Sequence, residues 1–410
     1  MVKKLKIGSS NLKFGLVKSI YIHIPFCRSI CPFCPFTVKR DSLKLHNNYV
    51  FGVINEIENR LSAIKNLDSD ENVTKTFEGN LLESLYIGGG TPSRLKKDNL
   101  LLLIQKVHDF FPWSKKIEIS IEMNPEDVRE KYLIDVCELG VNRISLGGQS
   151  FQTSTLRKLG RSHSENQLRE AIKILKNSKV NNWNLDLIFG VPGQNFSSFK
   201  DDIEEAISYN PSHISLYGLE IHEKTRFGKD QKIINWESSH KEQYREMYLW
   251  AVNRLEKSGL FQYELSNFSK KGKEGRNNLL VWSGIEYLGF GVGAHSFFRK
   301  KRWNNKSSIK FYLKDISNNK LPTDFEERLS IEQLATEYFM LSLRQKKGFN
   351  LDIWQNYFGL KLQQKQIDLV KKLSELGLAN FDSKILCLTP EGFLVADRIT
   401  LDFLTLENNF

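Results

Sequence analysis

Three of the five cysteines of this 410-residue chain lie within eight positions, as Cys27, Cys31 and Cys34. Thiolates this close together are soft ligands suited to an iron–sulfur cluster or to zinc. Disulfides are disfavoured, because the number of cysteines is odd and no secretory signal precedes them. Structural zinc usually takes a fourth Cys or His, yet Cys137 and Cys387 stand in a predicted helix and strand, as small buried hydrophobes do.

An iron–sulfur cubane normally takes four thiolates, so three cysteines leave one iron without a protein ligand. Such a position resembles the open coordination position of a catalytic zinc site, which a small molecule fills. Phe36 stands where a fourth cysteine could have been. The cysteine loop, residues 27–36, is therefore predicted to hold a redox cluster that presents one iron to a chelating small molecule.

Six short β-rich runs alternate with helical patterns in the first half of the chain. The predicted strands are 19–25, 84–90, 116–125, 143–150, 184–193 and 213–221, and the predicted helices between them are 47–64, 98–111, 126–140, 164–178 and 196–209. Strands that alternate with helices form parallel βαβ units. Such units build either a doubly wound sheet or an open barrel, and in both the functional residues collect at the carboxyl ends of the strands.

The carboxyl ends of these predicted strands are rich in glycine and polar residues. They read Pro25-Phe26-Cys27, Gly88-Gly89-Gly90-Thr91-Pro92, Glu122-Met123-Asn124-Pro125, Gly147-Gly148-Gln149-Ser150, and Asp186 running to Gly193. A glycine run after a strand is often only a turn, but this one comes one βα unit after the cysteines. We therefore expect the strand ends to form one functional rim.

The chain is predicted to contain two folded domains with flanking segments. A basic segment, 1–18, precedes an α/β domain at 19–225, an extension covers 226–325, and 326–410 form a mainly helical domain with a two-stranded wing. Residues 65–80 have the polar composition of a surface insertion.

The net charge of +11 would attract polyanions, but the lysines are scattered and lie in no nucleic-acid motif. A solvated basic surface is the leading interpretation. The basic stretch from Arg299 to Arg302 is an alternative contact for a cofactor carboxylate or a peripheral membrane headgroup. No apolar run reaches the roughly 18 residues of a membrane span, and no secretory signal is found, so a cytoplasmic protein is expected.

The motifs resemble those of the radical S-adenosylmethionine (SAM) superfamily, within the group of oxygen-independent coproporphyrinogen III oxidase and the HemW-like haem chaperones. The matching stretches, spanning residues 20 to about 396, are "YIHIPFC", "YIGGGTPS", "IEMNPE", "GVNRISLGGQSF", "LGRSHS", "LDLIFGVPGQ", "HISLYGL", "YELSNF", "GAHS" and "LTPEG". The resemblance implies a partial (β/α)6 TIM-type barrel with a C-terminal winged-helix-like domain. It also implies a 4Fe–4S cluster and SAM as cofactors.

The resemblance assigns roles to individual residues. The implied cluster ligands are Cys27, Cys31 and Cys34, with Tyr21 and Phe33 packing near the cluster and SAM. The implied SAM contacts are Gly89, Gly90 and Thr91 at the methionine end, Glu122 at the ribose hydroxyls, and Gln149, Arg161 and Asp186, which correspond to positions that contact a second SAM in the oxidase.

Two features favour the HemW-like branch. The oxidase has an additional cysteine two residues after the third, where this chain has Phe36, and it begins with a longer N-terminal segment. The branch implies haem as a ligand and a haem-acceptor protein as a partner. The alternative is an enzyme acting on a tetrapyrrole, either as the oxidase does or as a radical haem methyltransferase.

The chain departs from the branch at one motif. HemW-like proteins carry His-Asn-x-x-Tyr-Trp, a motif associated with haem binding, and here Asn277 and Val281 replace its His and Tyr. An imidazole for haem could instead come from His23, His222 or His295.

Overall fold

The computed structural model describes residues 16–66 and 81–405. Of the predicted basic N-terminal segment only residues 16–18 fall within this part. The predicted insertion at 65–80 lies almost wholly outside the described residues.

Strands and helices alternate through the first half of the described chain. The strands are β1 Ser19–Ile24, β2 Phe26–Cys27, β3 Lys39–Arg40, β4 Leu82–Gly89, β5 Trp113–Met123, β6 Arg143–Gln149, β7 Trp183–Phe189, β8 His213–Gly218, β9 Phe261–Gln262, β10 Asn267–Ser269, β11 Tyr287–Phe290, β12 His295–Phe298, β13 Lys301–Asn305, β14 Thr323–Arg328, β15 Phe349–Asn350, β16 Ala379–Phe381 and β17 Ile385–Leu388. The helices are α1 Leu43–Asn66, α2 Lys97–Phe110, α3 Glu130–Glu138, α4 Thr153–Lys158, α5 Glu165–Lys176, α6 Phe196–Ser208, α7 Gln231–Ser239, α8 Lys241–Lys257, α9 Arg276–Trp282, α10 Ile309–Ser317, α11 Ile331–Leu343, α12 Leu351–Phe358, α13 Gln364–Glu375, α14 Pro390–Phe393 and α15 Ala396–Thr405.

The six strands predicted from the sequence are present as β1 and β4 to β8, and they pair in parallel in that order. β11 pairs in parallel with β1 on its other side. The sheet then continues antiparallel at both edges, through β12, β13 and β14 at one and through β10 and β9 at the other. The strands of the predicted extension therefore belong to the same sheet as the α/β domain.

The sheet is curved, and its inner face surrounds a cavity. Tyr86 of β4 and Tyr217 of β8 both line this cavity, although three other strands lie between β4 and β8 in the sheet. The partial barrel predicted from the resemblance is thereby confirmed. Along each strand, residues that face the cavity alternate with apolar residues on the outer face of the sheet. On β1 these outer residues are Ile20, Ile22 and Ile24, which are fully buried in the main hydrophobic core.

Local signals in the sequence explain where two of the helices begin and end. Ser164 and Gln167 form the expected capping box at the start of α5. Gly140, just after α3, has φ +88°, a left-handed conformation that favours glycine at a helix end.

The C-terminal part contains α11 to α15 and a small antiparallel sheet in the order β15-β17-β16. Of the two wing strands predicted within residues 384–399, only β17 is present, because α14 begins at Pro390 and α15 follows it; β17 pairs instead with β16 and β15, which lie earlier in the chain. Glu264, in the turn between β9 and β10, forms a bridge with Gln345 after α11. None of the described helices combines the length and apolar character that crossing a membrane requires.

The basic stretch near Arg299 is largely paired with acidic residues. Lys301 Nζ lies 2.6 Å from Glu326 Oε1 across β13 and β14, and Arg302 forms an ion pair with Glu337 of α11. Salt bridges at a surface of this kind are worth about 1 kcal/mol or less, but they neutralise the local positive charge. The Arg302 pair joins β13 to the C-terminal part.

Candidate metal and cofactor site

The three clustered cysteines lie on one loop that a short pair of strands closes. β2 pairs with β3, which places Cys27 opposite Arg40, and the backbone N–H of Asp41 donates to the carbonyl of Cys27 at 2.8 Å. Cys31 and Cys34 lie in the loop between the two strands. All three thiols are free, half-buried and face one cavity of about 420 Å³.

Two side-chain donors are aimed at the sulfur atoms. Thr91 Oγ1 donates to Cys27 Sγ at 3.6 Å, and Arg161 Nη1 donates to Cys31 Sγ at 3.7 Å. Asn124 links the two donors, because its amide nitrogen donates to Thr91 Oγ1 at 3.1 Å and its Oδ1 accepts from Arg161 Nη2 at 2.6 Å. Donors placed in this way stabilise thiolate charge, which metal-bound cysteines carry.

Three free thiols on one loop are the kind of ligand set that an iron–sulfur cluster takes. No three His, Cys, Asp or Glu side chains in the described parts of the chain are grouped tightly enough to share one ion. A cubane places each thiolate on a different iron, so its ligands stand further apart than those of one zinc ion. Burial raises the pKa of Cys27 to about 11 and also raises that of Cys34, so metal binding must displace their protons.

Glycines allow the end of β4 to pack directly on the cysteine loop. A Cβ at Gly90 would stand 2.8 Å from the carbonyl carbon of Pro25 and 3.0 Å from Cys27 Sγ. The amide of Gly90 donates to the carbonyl of Ile24 at 2.8 Å, and Gly89 has φ +112°. These contacts give the glycine run a role in holding the loop, in addition to the predicted approach of SAM.

Glu122 lies beside this glycine run with both carboxylate oxygens engaged. Tyr86 Oη donates to Oε1 at 2.7 Å and the backbone N–H of Gly89 donates to Oε2 at 2.9 Å. Burial, opposed by these bonds and reinforced by nearby Asp186, raises the pKa of Glu122 to about 7. A carboxylate with one lone pair left on each oxygen can still accept bonds from hydroxyl groups in the cavity.

Asp186 and Gln149 also line the cavity, on neighbouring strands. Ser145 Oγ donates to Asp186 at 3.1 Å and Asn184 Nδ2 donates to it at 2.6 Å, while burial raises its pKa. Gln149 has φ +67°, an uncommon left-handed conformation for a residue with a side chain. Its amide nitrogen would stand 3.0 Å from a Cβ at Gly147, so the side chain folds back over the end of β6.

The two aromatic residues of the predicted site have different positions. Phe33 lines the cavity, and its ring centroid lies 6.3 Å from that of Phe227. Tyr21 is not among the cavity-lining residues, and it stacks on Tyr86 at 6.1 Å and donates to His23 Nδ1 at 3.0 Å. Every other residue of the predicted site faces the cavity.

The cavity continues to the amino ends of the strands, where residues 275–278 close it. Gly275, Asn277 and Asn278 line this floor together with Arg143 and His213. The Oδ1 atom of Asn277, at the position of the missing motif histidine, accepts a bond from Ser19 Oγ at 2.8 Å. The variant motif therefore lies at the opposite end of the cavity from the cysteines.

A chain of hydrogen bonds runs across this floor. Tyr263 Oη donates to His213 Nε2 at 2.8 Å, and Tyr263 Oη also accepts from the N–H of Gly275 at 3.2 Å. His213 Nδ1 donates to Asn184 Oδ1 at 2.6 Å, since the amide nitrogen of Asn184 is already donating, to Asp186 among others. Burial lowers the pKa of His213 well below its ordinary value, so the ring is neutral.

Among the floor residues, sequence reasoning singled out only Asn277, and it gave no role to the link residue Asn124. Asn124 stands at a strand end that the motifs did cover, so its position was a usable signal. The polar residues of β7 and β8 recur at every second position, as in Asn184 and Asp186 or His213 and Ser215. That alternation could have predicted a polar barrel interior.

Comparison with known proteins agrees with this geometry. The family model described as the radical SAM superfamily matches residues 21–206, and that described as the HemN C-terminal domain matches residues 329–395. Among solved structures, coproporphyrinogen III oxidase (HemN) from Escherichia coli superposes with a TM-score of 0.78 at 21% identity, covering 95% of this chain and 91% of that one. Fold and cysteine loop together define a radical SAM protein, which implies a 4Fe–4S cluster and SAM.

Curated relatives narrow the class further. The heme chaperone HemW of Bacillus subtilis is 31% identical over 95% of this chain and 99% of its own length. That of Lactococcus lactis is 30% identical over 96% and 98%, and that of E. coli is 32% identical over 68% and 69%. The chain belongs to the HemW family.

Proposed function

We propose that this protein holds a 4Fe–4S cluster through Cys27, Cys31 and Cys34, binds SAM beside it, and binds haem for delivery to an acceptor protein. The observation that carries the proposal is the cavity in which three free thiols, two sulfur-directed donors and Glu122 meet. The relatives are named heme chaperones, and the proposal of haem as the ligand is based on that name. In this proposal the protein acts in the cytoplasm.

Different residues bind different groups along the cavity. Thr91 and Arg161 stabilise the thiolates, and Glu122 accepts hydrogen bonds that the hydroxyl groups of SAM donate. Gln149 and Asp186 are placed to bind polar groups deeper in the barrel. A bound cluster would supply one-electron reducing chemistry at its open iron.

Anaerobic haem titration of the cluster-loaded full chain tests the function. We expect a saturable Soret band in the difference spectrum, with about one haem per chain, and transfer of that haem to an apo-cytochrome. Absence of retained haem, with and without the cluster, would refute haem carriage. In that case, formation of protoporphyrinogen and 5′-deoxyadenosine from coproporphyrinogen and SAM would identify an oxidase instead.

A further inference from the structure

The cavity presents one histidine with an accessible ring. All eight histidines lie within the described residues, and two of them, His213 and His222, line the cavity. His213 uses both ring nitrogens in the floor network. His23 is buried, with Nε2 donating to the carbonyl of Thr37 at 2.7 Å and Nδ1 accepting from Tyr21.

The ring of His222 is accessible at the cavity. Its Nε2 lies 3.4 Å from Oε2 of Glu220, and its side chain is 45% exposed. Glu220 is itself 80% exposed, so this contact does not hold the ring away from a ligand, and Nε2 is the atom through which histidine binds haem iron.

The turn that carries His222 is rigidly built. The carbonyl of His222 accepts from the backbone N–H of Thr225 at 2.9 Å and from Thr225 Oγ1 at 2.7 Å. Gly228 packs on that same carbonyl so closely that a Cβ would stand only 2.1 Å from it. The backbone of the turn that carries His222 to the cavity is therefore fixed before any ligand arrives.

This turn is joined to the cysteine loop. The backbone N–H of Phe227 donates to the carbonyl of Pro32 at 3.0 Å, and Arg226 Nη2 donates to the carbonyl of Ile30 at 2.6 Å. A small hydrophobic core beneath the turn, separate from the main one, includes Phe227 and packs against Phe33. The cysteine loop and the His222 turn consequently form one continuous rim.

The rim also exposes apolar surface. Ile30 is 40% exposed and Phe36 is 65% exposed, and both line the same cavity as His222. Exposed apolar groups at the mouth of a polar cavity mark a binding surface for an apolar ligand. Arg226, on the same rim, supplies a cation for an acidic substituent of such a ligand.

We propose that His222 is the axial iron ligand of a haem held across this rim, with Ile30 and Phe36 against the macrocycle. The proposal rests on the haem-binding function proposed above. In this proposal His222 takes the place of the missing motif histidine as haem ligand. At the motif position Asn277 has no imidazole, and its side chain is hydrogen-bonded to Ser19. Haem at the rim would lie beside the cysteine loop, at the cavity end that is open to an acceptor protein.

The test compares His222→Ala with His295→Ala in cluster-loaded full chains. His295 is an exposed histidine of β12 outside the cavity lining, so its loss is the matched control. We expect His222→Ala to lose the EPR signal of histidine-bound ferric haem that the wild type shows and to bind haem at least tenfold more weakly, and free imidazole to restore the signal. His295→Ala should behave as the wild type.

The outcomes separate the two proposals. Haem binding by the wild type with an unchanged EPR signal in His222→Ala would overturn the ligand assignment and leave haem carriage intact. No haem binding by the wild type would overturn haem carriage itself. Iron content and the circular dichroism spectrum verify folding, and His222→Gln serves as the second variant if the alanine variant is unstable.

Discussion

The two ends of the barrel cavity are built in opposite ways. At the rim, Thr91 and Arg161 direct donors at the free thiols of Cys27 and Cys31, at 3.6 and 3.7 Å. At the floor, Tyr263 and His213 direct their bonding groups at other protein groups, at 2.6 to 3.2 Å. A polar network whose groups all bond to one another stabilises a fold. A network with groups that have no partner in the protein is suited to binding a ligand.

We infer from this difference that the rim binds the cofactors and that the floor closes the barrel. The predictions below substitute one end at a time. Substitution of a rim cysteine should change cluster content and leave stability nearly intact, and substitutions at the floor should do the reverse.

The largest effect is expected at the cysteines. Cys34→Ala removes one of three ligands, so the chain should lose its iron and its visible cluster absorption after anaerobic reconstitution. Cys387→Ala, in β17 of the C-terminal sheet, is the matched control and should keep both. Equal iron contents in the two variants would contradict the assignment of the loop.

A smaller loss should follow from Gly90→Ala. Its Cβ would meet backbone atoms of Ile24 and Pro25 within 3 Å, so the end of β4 must move away from Cys27. We expect cluster content to fall by more than half. Gly275→Ala at the floor is the control. A Cβ at Gly275 would stand 3.3 Å from Tyr263 Oη, and the φ of this residue, −65°, suits alanine, so the variant should take up as much cluster as the wild type.

The pH dependence of stability should reveal a buried acid beside the floor. Glu264 adjoins Tyr263, and burial raises its pKa to about 7 from an ordinary value of 4.5. Because the folded state holds this proton more tightly, its stabilising contribution is complete below pH 4.5 and is lost as the pH rises through 7. Glu264→Gln should therefore reduce the decrease in unfolding free energy across this range, by about 3 kcal/mol.

Denaturant unfolding at several pH values measures this effect, with Glu274→Gln on the surface as the control. A parallel pH profile for wild type and Glu264→Gln would show that the pKa of Glu264 is the same in the folded and the unfolded protein.

The smallest of these effects is expected for Tyr263→Phe. The change leaves His213 Nε2 without a donor and the Gly275 N–H without its acceptor, which costs about 2 kcal/mol of unfolding free energy. Cluster content should not change, which denaturant unfolding and iron analysis together establish. Loss of the cluster in this variant would refute the division between rim and floor.

The rim could be predicted from the sequence because its residues lie in short contiguous motifs. Cys27, Cys31 and Cys34 lie in one loop, and the βαβ order alone places the ends of β4 and β5 beside it. Parallel strands bring their carboxyl ends to one edge whatever their loops contain.

The floor could not be predicted in this way. Tyr263 and Gly275 lie 50 or more residues along the chain from His213, on a turn and before a short helix, and only the closed fold brings them together. Strand β15 of the small C-terminal sheet has two residues and no alternation to recognise. Nor did the spacing reveal that Arg161 contacts Cys31, because that contact depends on the turn after α4.

EPR of the reconstituted and reduced protein, recorded before and after SAM is added, tests the central claim most directly. The account predicts a reduced 4Fe–4S signal that changes when SAM binds, and no such signal in Cys34→Ala. A cluster signal that SAM leaves unchanged would contradict an open iron at the rim of this cavity.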